Sequence, residues 1–276
     1  MQWGDRDGYV KESTWATLPA VLLGLGAMFL LAYHQYTLGY FLVACGLFGA
    51  WLCDFTTLSV GLLADITTVA TGVVILSLSD LAADLSNLGM LRFAVVLGGA
   101  VAVPYALHRW VFRAEPVKFP WGGWRWNRAQ WTYLAAVVVV GYLVLPWYFI
   151  STGVYLNWPP VHTPDQVVRL FIGVNAVGIW DELFFICTVF ALYRRHFPLW
   201  QANLLQAMVF VSFLWELGYQ AWGPLLTIPF ALVQGAIFQL TKNLAYVITV
   251  HLLFDLVVFL VLIHGHNPSW PTIFLT

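Results

Sequence analysis

Charge is what this 276-residue chain has least of: Asp, Glu, Lys and Arg make up 9% of it, against 61% hydrophobic residues. Soluble domains carry about a quarter charged residues, so this scarcity excludes an ordinary water-soluble fold. The 12 basic and 13 acidic residues nearly cancel, which leaves no bulk field to draw in a polyanion and excludes nucleic-acid binding. Cysteine is also scarce. Cys45, Cys53 and Cys187 lie in apolar runs without a CxxC or Cys/His spacing, so neither a disulfide framework nor a zinc ribbon is indicated, and they read as small core residues. No internal repeat, low-complexity tract or soluble insert is visible. Before the first apolar run, Met1 to Ser13 is polar and no small-residue cleavage site closes that run, so the first helix is expected to be retained.

What is abundant is apolar sequence in lengths that match a bilayer. A hydrocarbon core of about 30 Å needs roughly 20 apolar residues per helix. About nine such spans can be cut: 14–34, 38–53, 57–78, 90–111, 130–151, 166–193, 200–220, 223–241 and 244–264. The second and third are separated mainly by Asp54. The expected fold is all-α and polytopic, with residues 1–129 as an amino-terminal group of helices ending in a basic loop and 130–276 as the core. Lys and Arg gather in cytoplasmic loops of membrane proteins. An amino terminus inside puts ten of them there, namely Arg6, Lys11, Arg109, Arg113, Lys118, Arg125, Arg128, Arg194, Arg195 and Lys242. Arg92 and Arg169 fall outside, as does the carboxyl terminus. The insert from Arg109 to Gln130 mixes five basic residues with Trp110, Trp121, Trp124 and Trp126. It reads as an interfacial aromatic and snorkelling anchor, or as a gate or docking surface.

Buried charges are costly unless paired, hydrated or functional, at least about 2.5–3.5 kcal/mol each at a helix centre. Five ionisable residues of the last third therefore stand out. Asp181 and Glu182 are adjacent in IWDELFFICTVF with no Lys or Arg in the same span core. Glu216 follows in FVSFLWELGY; His251 and Asp255, four residues apart in VITVHLLFDLVV, share one helix face. Asp65 is a lone acid without a motif and reads as structural or peripheral. His264 and His266 read as an interfacial cap, while His34, His108, His162 and His196 sit near span ends.

Over roughly residues 165–262 these motifs resemble the CAAX protease and bacteriocin-processing (CPBP) family of glutamic-type intramembrane peptidases. DELFFICTVFALYRRHFP resembles the family's EExxxR helix, and LTKNLAYVITVHLLFD the region of its HxxxN or HxxxD helix. Spacings of 34 residues from Glu182 to Glu216 and 35 from Glu216 to His251 fit the family's order of elements. The letters depart elsewhere: the first family Glu falls on Asp181, the Arg on Ile186, and the Phe and His of the FxxxH motif on Ser212 and Glu216. The resemblance implies Asp181 as the base that activates water, with Glu182 and Glu216 beside it and His251 with Asp255 stabilising or orienting. It also implies a membrane-bound peptide or lipidated protein as substrate.

The departures support a second reading. Without the Arg, mutual repulsion among four carboxylates favours shared protons or a divalent cation such as Zn, Mn or Fe, held by Glu182, Glu216, His251 and Asp255. The chain would then be a metal-dependent membrane hydrolase, or a relative that binds a lipid, an ion or a partner protein. A proton-coupled transporter would use the same residue types, but no repeat supports it. One tension is internal to the sequence: Glu216 lies about 24 Å along its span and His251 about 10 Å along its own. Those depths agree only if the Glu216 helix begins later, tilts or breaks.

Overall fold

The computed structural model describes residues 14–114, 117–270 and 272–274. Among these it contains nine helical rods and no strand. We number them α1 (14–32), α2 (Tyr36–Phe55), α3 (Leu62–Ser77), α4 (Asn87–Val111), α5 (Arg128–Thr152), α6 (Pro164–Tyr193), α7 (Leu199–Leu217), α8 (Pro224–Thr241) and α9 (Leu244–His266). Seven are long and apolar enough to cross a membrane. The exceptions are α3, which has 16 residues, and α7, whose Gln201, Asn203, Gln206 and Glu216 dilute its hydropathy. The fold is a polytopic helical membrane protein.

Local chemistry sets the ends. Asp54 does more than interrupt two spans: its carboxylate accepts the Leu62 and Leu63 N–H groups, so α3 starts later than the hydropathy suggests. Capping boxes open α5 (Asn127 with Gln130) and α6 (Thr163 with Gln166, Pro164 in the first turn). The start of α9 is satisfied from elsewhere. Pro120 and Trp121 carbonyls accept from Leu244 and Ala245 N–H, and the Asn243 side chain caps Tyr246 N–H. The Trp-rich insert thus acts as a cap on α9, the helix that carries His251 and Asp255, and Trp126 packs edge-on against Tyr246.

Successive rods run antiparallel, giving the bundle two ends. One end gathers the finish of α4, the insert, the turn after α6 and the α8–α9 turn, and with them Arg109, Arg113, Lys118, Arg125, Arg128, Arg194, Arg195 and Lys242. At the other end Arg169 pairs with Asp165 and reaches Asn87. Arg6 and Lys11, assigned to the basic side on sequence, lie outside the described residues. The largest apolar cluster draws on α1, α3, α6 to α8 and the start of α9, so it takes residues from both sides of position 129. Within the bundle α9 packs against α5 and α6, and α7 against α1 and α8. Apolar on every side, α9 is enclosed by its neighbours.

Candidate active site

The acidic pair sits where α6 changes its winding. Through Asp181 the helix is α; from Glu182 to Phe190 it widens into a nine-residue π segment before closing again at Ala191–Tyr193. Such widened turns recur at functional sites because they re-aim side chains without breaking the helix. Here two consecutive carboxylates reach opposite edges of one imidazole. His251 Nδ1 donates to Glu182 Oε1 at 2.7 Å, while Nε2 lies 3.6 Å from Asp181 Oδ2 and 3.8 Å from Asp255 Oδ1. Phe230 closes over the ring edge-on, with centroids 4.9 Å apart. All four polar residues are enclosed, from fully buried Glu182 to Asp255 at 6% exposure.

The Arg expected to neutralise Glu182 is replaced by Ile186, and the structure supplies other donors. Gln234, from α8, donates Nε2–H to Glu182 Oε1 at 2.7 Å, on the same oxygen that takes the imidazole N–H. Two donors on one carboxylate oxygen offset much of its burial cost. Nothing in the sequence singled out Gln234; its signal is an amide in an apolar helix. Asp255 approaches α6 at Gly178, where a Cβ would fall 2.1 Å from Asp255 Oδ2, so only glycine leaves room for the carboxylate there.

Glu216 is not brought to this chamber. It pairs with His34 Nε2 at 2.9 Å, at the far end of the bundle. The helical rise explains the correction: Glu216 stands 17 residues beyond Leu199, about 26 Å, while His251 and Gln234 each stand seven residues from the basic end, about 10 Å. Since α7 neither starts late nor breaks, Glu216 overshoots the chamber, and α7 presents Gln206 and Phe210 in that region instead. The proposed metal set fails for the same reason and a second one. Glu182 and Asp255 stand on opposite edges of His251, and a single ion bound to one ring nitrogen cannot reach both. Among the described residues no group of three or more His, Cys, Asp or Glu side chains is arranged to hold a metal ion. Glu216→Gln is expected to leave any hydrolytic activity unchanged and to lower stability by no more than about 1 kcal/mol, since His34 is half exposed; a turnover assay beside a thermal melt checks both.

A second polar cluster went unread in the sequence. Asp65 Oδ1 accepts from His108 Nε2 at 2.8 Å and from Arg195 at 3.3 Å, and its Oδ2 accepts from His196 Nε2 at 2.8 Å. Ser59 Oγ completes the set at 2.9 Å from His196 Nδ1. Asp65 is a hub joining α3, the end of α4 and the turn after α6, with partners 43 to 131 residues away. Separations of that size leave no local pattern to read.

Residues 163–257 match the family described as Type II CAAX prenyl endopeptidase Rce1-like. No curated protein and no solved structure matches the chain. The matched stretch runs from the cap of α6 into α9 and contains Asp181, Glu182, Gln234, His251 and Asp255. The resemblance to the CPBP family drawn from the motifs therefore holds over this region.

Proposed function

We propose that this membrane protein, Rce1-like over residues 163–257, is an intramembrane endopeptidase that cleaves a membrane-bound, prenylated or otherwise lipidated protein. The observation that carries the reading is the clamping of His251 between the consecutive carboxylates of Asp181 and Glu182 inside the matched stretch.

Each group has a role set by its surroundings. Glu182, held by Gln234, accepts the Nδ1–H of His251 and so fixes the tautomer in which Nε2 is left to act. Gaps of 3.6 and 3.8 Å from Nε2 to Asp181 and Asp255 are too long for direct hydrogen bonds and leave these carboxylates open to water. A water at that edge of the ring donates to Asp181. Asp181 takes its proton as the oxygen attacks the scissile carbonyl carbon, and returns the proton to the departing amine when the C–N bond breaks. Asp255 Oδ1, 3.8 Å from Nε2, adds a second carboxyl group beside that edge of the ring. The basic end of the bundle faces the cytoplasm in this reading, which places the chamber about 10 Å in from the ends of α8 and α9, within the leaflet where lipidated proteins reside.

The test is an unbiased comparison of membrane-peptide fragments from cells carrying the wild-type chain and from cells carrying Asp181→Ala. Fragments present only with wild type support the reading. Identical fragment sets at equal protein levels end it.

A further inference from the structure

The two buried glutamines beside the chamber have used both N–H donors and still have acceptors to spare. Gln234 gives its N–H groups to Glu182 Oε1 and, at 3.4 Å, to the Val247 carbonyl. Gln206 on α7 gives its own to the Ala231 carbonyl at 2.9 Å and to Asn203 Oδ1 at 3.2 Å. Asn203 gives Nδ2–H to the Leu232 carbonyl at 2.7 Å. These contacts fix the amide orientations, because flipping either glutamine would set oxygen against oxygen. Four enclosed acceptors are left without a donor: Gln206 Oε1, Gln234 Oε1, Glu182 Oε2 and Asp181 Oδ1. Leaving a buried acceptor unpaired is unfavourable, so four of them together call for O–H groups from bound water.

Two of the unpaired oxygens belong to amides that meet one stretch of α8. The Gln206 head rests at Ala231, one turn of α8 before Gln234, whose own head turns to Glu182 on α6 and Val247 on α9. Counted from the basic end, Asn203 stands about 6 Å in and Gln206 and Gln234 about 10 Å in, level with His251. Exposure falls in the same order, from 7% at Asn203 to none at the two glutamines. At Gly235 a Cβ would fall 2.0 Å from Asn203 Oδ1, so a side chain there would displace the Asn203 amide.

We propose that Asn203, Gln206 and Gln234 bind a file of water that runs from the basic end of the bundle to the Glu182–His251 pair. The file delivers the hydrolytic water. That use rests on the peptidase reading, whereas the hydration itself does not. Gln206 is then a positioning residue acting on water supply, and α7 serves the site although it provides no ionisable group to it.

Hydroxyl-radical labelling by a brief X-ray pulse reads the file directly, because radicals form from bound water in place and mark the nearest side chains. Phe238, one turn beyond Gln234 on α8, reports the file; Phe210 reports the chamber; Phe149, in the separate apolar cluster, is the dry control. The full-length protein in detergent is expected to be labelled at Phe238 and Phe210 but not at Phe149. Gln206→Leu, which keeps the volume and removes the amide, is expected to lose the Phe238 label; Gln206→Met serves if the Leu variant does not fold. An unlabelled Phe238 in wild type, or labelling there that survives in the folded variant, overturns the proposal. Labelling at Phe210 alone also overturns it, by showing a wet chamber without this route. If the wild-type chain cleaves no peptide, the peptidase reading fails and the labelling still decides the water file.

Discussion

Asp181→Asn is expected to lower peptide hydrolysis by roughly 10²–10⁴-fold, the usual contribution of a positioned general base, while the unfolding temperature stays level or rises. The two halves of this expectation come from one fact. Asp181 is 1% exposed, its Oδ1 has no hydrogen-bond partner, and Oδ2 has only the imidazole edge 3.6 Å away. A carboxyl group so poorly met by its surroundings adds little to the stability of the fold, and the amide has the same shape. Measuring turnover and thermal unfolding on the same preparation separates the outcomes: lost activity with lost stability would point to a structural carboxylate, and retained activity would remove Asp181 from the mechanism.

The opposite signature is expected at Asp65, also buried, at 3% exposure. Asp65→Ala should lower stability by about 3–5 kcal/mol, the cost of removing one partner from an enclosed ionic set. Both of its oxygens are matched, by His108, His196 and Arg195, and its loss removes the acceptor these three groups share at the join of α3, α4 and α6. The hub lies on the turn that follows the π segment, so its loss should also loosen the end of α6. Denaturation of the purified variant in mild detergent, compared with Asp181→Asn, checks the contrast; equal stability of Asp65→Ala and wild type would show that the ion pairs contribute nothing net.

These two aspartates also mark the limit of reading charges from sequence. Both are acids in apolar helices, and the sequence ranked them by neighbourhood: Asp181 beside Glu182 drew attention, and Asp65 alone did not. The ranking drew out the first and named no partner for the second, whose partners are brought in by tertiary packing. Glu216 shows the reverse error. Its order in the chain fitted the family pattern, yet 17 residues of helical rise carry it past the chamber to His34.

By itself the sequence determined the class of protein, the number of rods and, within a few residues, where each lies, because hydrocarbon thickness and backbone hydrogen bonding leave a chain this apolar almost no alternative to helices of bilayer length. It also determined the pairing of Asp181 and Glu182 with His251 and Asp255, through their motifs. Which edge of the imidazole each acid takes, the recruitment of Gln234 in place of an arginine, the exclusion of Glu216 and the assembly around Asp65 were decided only in three dimensions. Those outcomes depend on how far along its own axis each side chain sits and which neighbour it meets there, and a one-dimensional pattern records neither.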